Sequence, residues 1–308
     1  MGMVDLSLRG QYSEAMRLVQ ANALGRALAI CRRVVEAYPR HVKTYSALGQ
    51  ICLQLGEHEL AANLFRRLLS ADPEHALSYA SLGAIYAERG LRDEAIWQLE
   101  RALELSPGNQ EFRCELLALY REASPSLSRV KMTRAGLARA YLRGRLYPKA
   151  IGELRELARE APHRFDLRVA LAESLWRQGQ YRGAEVVCGK ILAQLPNCLK
   201  GNLILGQIWL RGDRDEEARM LLQRAQALDP DNSVAQELFG SDSPLPPRVA
   251  RLPSRESDHE PLDLPYLRDD EEIAAEGRIV EGVAVARGVG DLLESAGGRL
   301  ARGDGGEP

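Results

Sequence analysis

The residues of this chain that could do chemistry are five histidines, five cysteines and a set of regularly spaced arginines. His41, His75 and His163 follow Pro39, Pro73 and Pro162 at turns about one repeat apart, too far apart to share a metal. Adjacent carboxylates such as Glu216 and Glu217 fit a solvated helix face. No Gly-rich phosphate loop, nucleophile elbow or H-E-x-x-H pair is present. The cysteines form no C-x-x-C; Cys31 and Cys188 share one repeat position and read, with Cys52, as small core residues. The expectation is a chain that is not an enzyme, with no catalytic residue, cofactor or metal. What remains is recognition. Arg143, Arg177 and Arg211 lie 34 positions apart, and guanidiniums in a column can fork carboxylates.

The same interval organises the whole chain. Ala27, Ala61 and Ala95 keep the step of 34, as do Pro39, Pro73 and Pro107. The register slips once and resumes with Ala150, Ala184 and Ala218, and with Pro162, Pro196 and Pro230. In residues 76–109, Tyr79, Leu82, Gly83 and Tyr86 fall on one helical stripe, Gly90 breaks it, and Ala95, Leu99, Ala102 and Leu103 form a second. Pro107 and Gly108 end the unit. Each unit is therefore predicted to be helix, turn, helix, turn, with small residues where two helices approach closely. A fixed period in this range marks stacked units that bury a continuous core.

The pattern resembles the tetratricopeptide repeat family over residues about 8–240. Unit 42–75 carries Tyr45, Leu48, Gly49, Gly56, Ala61, Phe65 and Pro73. Unit 76–109 carries Tyr79, Leu82, Gly83, Tyr86, Gly90, Ala95, Ala102 and Pro107. Unit 165–198 has Leu171, Ala172, Gly179, Ala184 and Pro196, and unit 199–232 has Leu205, Gly206, Trp209, Ala218, Ala225 and Pro230. Unit 131–164 is looser, and unit 8–41 departs at the aromatic and turn-glycine positions. The resemblance implies an all-α solenoid of helix-turn-helix repeats, a right-handed superhelix, in which each first helix lines a concave groove. On that face the later units offer Arg139 and Arg143, then Glu173, Trp176 and Arg177, then Lys200, Gln207 and Arg211. These are the candidate partner-binding residues, with Trp176 as an anchor. The Lys and Asn positions that chaperone-binding members use as a two-carboxylate clamp are not supplied.

Residues 110–122 read as the first helix of a further unit without its second, followed by the breaker cluster at 124–128. This predicts two three-repeat blocks, 1–123 and 124–240, each ended by a lone capping helix; one continuous superhelix is the alternative. After Gly240 the periodicity stops. Residues 241–268, rich in Pro, Ser and charge, are predicted to be disordered, and 269–296 form a candidate helix opening on Asp269, Asp270, Glu271 and Glu272.

Charge is unevenly placed. Residues 131–232 hold 18 Lys+Arg against 12 Asp+Glu, net +6, and residues 240–308 hold 8 against 15, net −7. The tail is thus expected to contact the second block through Asp269–Glu272. No stretch is apolar enough to span a membrane, no secretion signal stands at the start, and basic clusters with aromatic platforms for nucleic acid are missing. The reading is a cytoplasmic protein-interaction scaffold that binds an acidic protein or peptide and is regulated by its own tail. The alternative is an accessory subunit of an enzyme or secretion machine, tethered through that tail.

Overall fold

The computed structural model describes residues 6–123, 126 and 128–253. Among these the structure is helical. The hairpins are α1 (Leu8–Gln20) with α2 (Leu24–Ala37), α3 (Val42–Gln54) with α4 (His58–Ala71), and α5 (Ala76–Glu88) with α6 (Arg92–Leu105). The lone helix α7 (Gln110–Ala123) follows. The hairpins then resume with α8 (Arg134–Arg143) and α9 (Tyr147–Glu160), α10 (Phe165–Arg177) and α11 (Tyr181–Leu192), and α12 (Leu199–Leu210) with α13 (Asp215–Leu228). The short α14 (Ser233–Phe239) closes the series.

The period has a physical cause at three positions of each unit. Ala27, Ala61, Ala95, Ala150, Ala184 and Ala218 are all 0% exposed, each at the contact between paired helices. In unit 76–109 a Cβ on Gly83 would stand 2.8 Å from Leu99 Cγ and 3.3 Å from the Ala95 carbonyl oxygen, so only glycine admits that approach. The turn between the two helices is left-handed in all six units. Gly56, Gly90 and Gly179 supply it with φ of 74°, 72° and 80°. At the equivalent positions Asn22, Arg145 and Asp213 adopt φ of 56°, 59° and 57°, a conformation that costs a residue with a Cβ about 1–2 kcal/mol.

The turns between units are tied by one recurrent bond. Tyr45 Oη donates to the Pro39 carbonyl at 2.6 Å, Tyr79 Oη to Pro73 at 3.2 Å, and Asn202 Nδ2 to Pro196 at 2.8 Å. Arg113, the equivalent residue of α7, donates to the Pro107 carbonyl. α7 is therefore a first helix in register, as its sequence predicts. α6 packs against both α7 and α8. A cavity of about 190 Å³, lined by Leu103, Leu116, Tyr120 and Met132, lies beside α7.

By its contacts the chain forms two compact units. One is Leu68–Ala225; the other combines the chain up to Arg67 with the chain from Gln226 on. These boundaries fall inside α4 and α13. A division at 124–128 is proposed in addition to these boundaries.

The tail expectation is corrected where it meets described residues. Residues 243–253 are not a free linker. They run back to the first hairpin, where Ser7 and Arg251 form an antiparallel bridge and Ala250 and Leu252 are buried against Leu8 and Val34. The rest of the predicted disordered stretch, and the candidate helix 269–296 with Asp269, Asp270, Glu271 and Glu272, lie outside the described residues.

Candidate peptide-binding face

Within unit Leu68–Ala225, the first helices α8, α10 and α12 bring their charged residues together with the turn ahead of α5. Arg139, on α8, is 4% exposed. Its Nη1 donates to Glu74, and its Nη2 donates to Asp166 at 2.8 Å. Arg164 donates to Asp166 and to Glu104, each at 2.6 Å. Lys200, on α12, donates to Glu74 at 2.7 Å and to Glu173 at 3.0 Å. Arg177 closes the chain with Nε 3.0 Å from Glu173. Four carboxylates and four cations alternate, so charge is balanced along the array.

The electrostatics follow from that alternation. Burial pushes the Asp166 carboxyl up, but Arg164 and Arg139 more than offset it and hold it at about 2. Burial likewise raises Glu74, and Lys200 and Arg139 bring it below its ordinary value. Burial lowers Arg139, Arg164 and Lys200, and their carboxylate partners raise all three. Glu74, Asp166, Arg139, Arg164 and Lys200 are each held toward their charged forms by these partners. Taking such charges out of water is costly, and only complete pairing compensates.

The predicted residues divide into two sets. Arg139, Glu173 and Lys200 belong to this paired array, and Gln207 is buried at 4% exposure. Arg139 is therefore no solvated arginine beside a column; its fork is occupied. Arg143, Arg177 and Arg211 are exposed at the ends of α8, α10 and α12. Partial burial and then the like charge of Arg139 lower the Arg143 pKa. Arg177 lies 5.4 Å from the Trp176 ring centroid, and Arg211 lies 5.1 Å from that of Tyr181, whose hydroxyl it meets at 2.6 Å. Trp176 is half-buried. Sequence reasoning missed Glu74, Glu104 and Arg164 as partners. The available signal at Glu74 was its break from the repeat, since Arg40 and Gly108 hold the equivalent positions.

Among the described residues no group of His, Cys, Asp and Glu is arranged to hold a metal, and no helix is long and apolar enough to cross a membrane. Cys31, Cys52, Cys188 and Cys198 are buried and Cys114 is exposed.

In-register helical hairpins, with first helices that share one charged face, define a helical-repeat protein. The chain belongs to the tetratricopeptide repeat family: models of that repeat match residues 18–86 and 175–238, 135–188, and 76–109, together more than half of the chain. Members of this family act as protein-interaction scaffolds that bind proteins or peptides, and the fold is generally non-enzymatic. No curated protein matches. Among solved structures, YrrB, a TPR protein with an unusual peptide-binding site, is 16% identical over 67% of this chain and 96% of its own, with a TM-score of 0.29. A tetratricopeptide repeat protein from Parabacteroides merdae is 17% identical over 75% and 82%, with a TM-score of 0.34. MamA protein is 16% identical over 63% and 94%, with a TM-score of 0.26.

Proposed function

We propose that the chain is a non-enzymatic scaffold that holds an extended acidic partner segment along the α8, α10 and α12 face. The observation that supports this is the contrast between buried, fully paired cations and surface cations on those helices, with Arg177 at the edge, its Nε on Glu173 and its side chain still part-exposed. Arg139 and Lys200 spend their charge on Glu74, Asp166 and Glu173. Arg143, Arg177 and Arg211 recur once per unit and stay exposed, and two of them border an aromatic ring that can anchor a side chain. The buried part of the array forms the floor, and Arg143, Arg211 and the outward side of Arg177 are the contacts. The tail, net −7 over 240–308, acts in this proposal as an intramolecular competitor through Asp269–Glu272, weakened by salt.

A peptide-display selection on the full chain tests the reading. Recovered binders should be rich in Asp and Glu and should lose affinity roughly ten- to a hundredfold on the Arg143→Ala, Arg177→Ala, Arg211→Ala triple variant. Truncation after Pro253, which keeps residues 243–252 in place, should tighten binding at low salt. Binders with no acidic enrichment, or binding unchanged by the triple variant, would overturn the proposal.

A further inference from the structure

Residues 245–252 lie against the first hairpin and the start of α14 as an extended segment held chiefly through its main chain. Gln236 Nε2 donates to the Leu245 carbonyl at 2.6 Å, and Asn232 Nδ2 donates to that of Pro246 at 2.8 Å. The Ala250 N–H donates to Asp231 Oδ1, and the Leu8 N–H donates to the Ala250 carbonyl, both at 2.8 Å. Tyr38 Oη reaches the Arg251 carbonyl and the Leu252 N–H reaches the Leu6 carbonyl, both at 2.9 Å. Side chains alternate as in a strand. Val249 is 68% exposed and Arg251 also faces water, whereas Ala250 and Leu252 are 2% and 5% exposed, in contact with Leu8 and Val34.

We infer that this face is a second peptide-binding site, separate from the α8–α12 face. It takes an extended segment with a small residue two positions before a leucine, and the chain's own residues 245–252 occupy it in cis. Main-chain bonds supply affinity without regard to sequence, and the two inward pockets supply selectivity, as when a strand is added to a sheet edge. Ala250 sits where the Leu8 N–H and the Asp231 carboxylate bond its main chain, and Leu252 packs with it in the apolar cluster of Leu8 and Val34. The partner is a protein segment of that pattern. It must compete with a tethered occupant whose effective concentration is about millimolar, so the resident strap sets the threshold for binding.

The test uses the full chain with Ala250→Asp and Leu252→Asp, which places carboxylates in both pockets and frees the face, and a fluorescent peptide of residues 243–253. The variant should bind this peptide at least about tenfold tighter than the wild-type chain does. The peptide carrying the same two aspartates should not bind. A second measurement needs no variant: excess peptide added to the wild-type chain should speed hydrogen exchange at the Leu252 and Ala250 amides. The site is disproved if the helical variant fails to bind, if both peptides bind alike, or if exchange at those amides is unmoved. Dimers that grow with wild-type concentration by exchanging this segment would assign the face to a second copy and overturn the partner reading.

Discussion

Lys200 Nζ and Glu74 Oε2 meet at 2.7 Å although 126 positions separate them in the chain. A cation in the first turn of α12 thereby grips the turn ahead of α5, and Glu74 carries a second bond to Arg139 on α8. One carboxylate fixes three elements of the same unit.

Glu74→Gln should therefore be among the costliest polar changes. It keeps the shape but leaves Arg139, 4% exposed, short of a counter-charge. Removing one partner of a buried pair typically costs about 3–5 kcal/mol. A urea midpoint within error of wild type would mean that the array does not hold this unit together.

Acid should act in two windows. Burial, then Lys43, holds His41 at about 3 against its ordinary 6.5. The folded chain then binds that proton less well than the unfolded chain, so stability is present above about pH 6.5 and is lost as pH falls. Asp166, at about 2 against 3.8, binds its proton less well when folded too, so its contribution survives to about pH 4 and is lost below. His41→Asn, which puts a good N-cap type ahead of α3, should shrink the upper loss by on the order of a few kcal/mol, leaving the share of His75, which burial also lowers. Denaturation at about pH 7.5 and about pH 5 reads it, and an upper loss undiminished in the variant would assign it to another group.

Two substitutions at repeat positions should move stability in opposite directions. Gly83→Ala would ordinarily favour a helix, but its Cβ would meet Leu99 Cγ at 2.8 Å, so a loss of about 1–3 kcal/mol is expected. Arg145→Gly relieves a side chain held at φ 59° and should gain about 1 kcal/mol. Melting temperatures that fail to separate the two would count against the repeat register.

Limited trypsin digestion tests the proposed two-block division together with the strap. Cleavage is expected first beside the Ser-Pro-Ser-Leu-Ser cluster, at Arg121 or Arg129, and after Arg255. It should spare Arg251, whose carbonyl accepts from Tyr38. Early cuts within 42–109 would remove the case for blocks at 124–128.

Much of the fold was legible because its causes are local and repeat. Ala95 and Gly83 are small for a contact that every unit makes, and Gly90 marks a turn that every unit needs. α7 was legible for the same reason. The strap was not, because Pro, Ser and Arg resemble a linker and its bonds use main-chain atoms that carry no side-chain signature. The alternation of Val249, Ala250, Arg251 and Leu252 was the one trace available. The partners of Arg139 were hidden by distance, since Glu74 stands 65 positions away.

The unit that joins the chain up to Arg67 with the chain from Gln226 on has the other unit, Leu68–Ala225, written into its middle. A ribosome extends the chain at about 5–20 residues per second, so the first hairpin emerges many seconds before the strap that covers Leu8 and Val34. The intervening unit has all its parts before the surrounding one does. Synthesis thus completes Leu68–Ala225 first, and Leu8 and Val34 stay uncovered by the strap until translation has passed Leu252. During that interval the uncovered apolar face lies at the beginning of the nascent chain, not at its growing end.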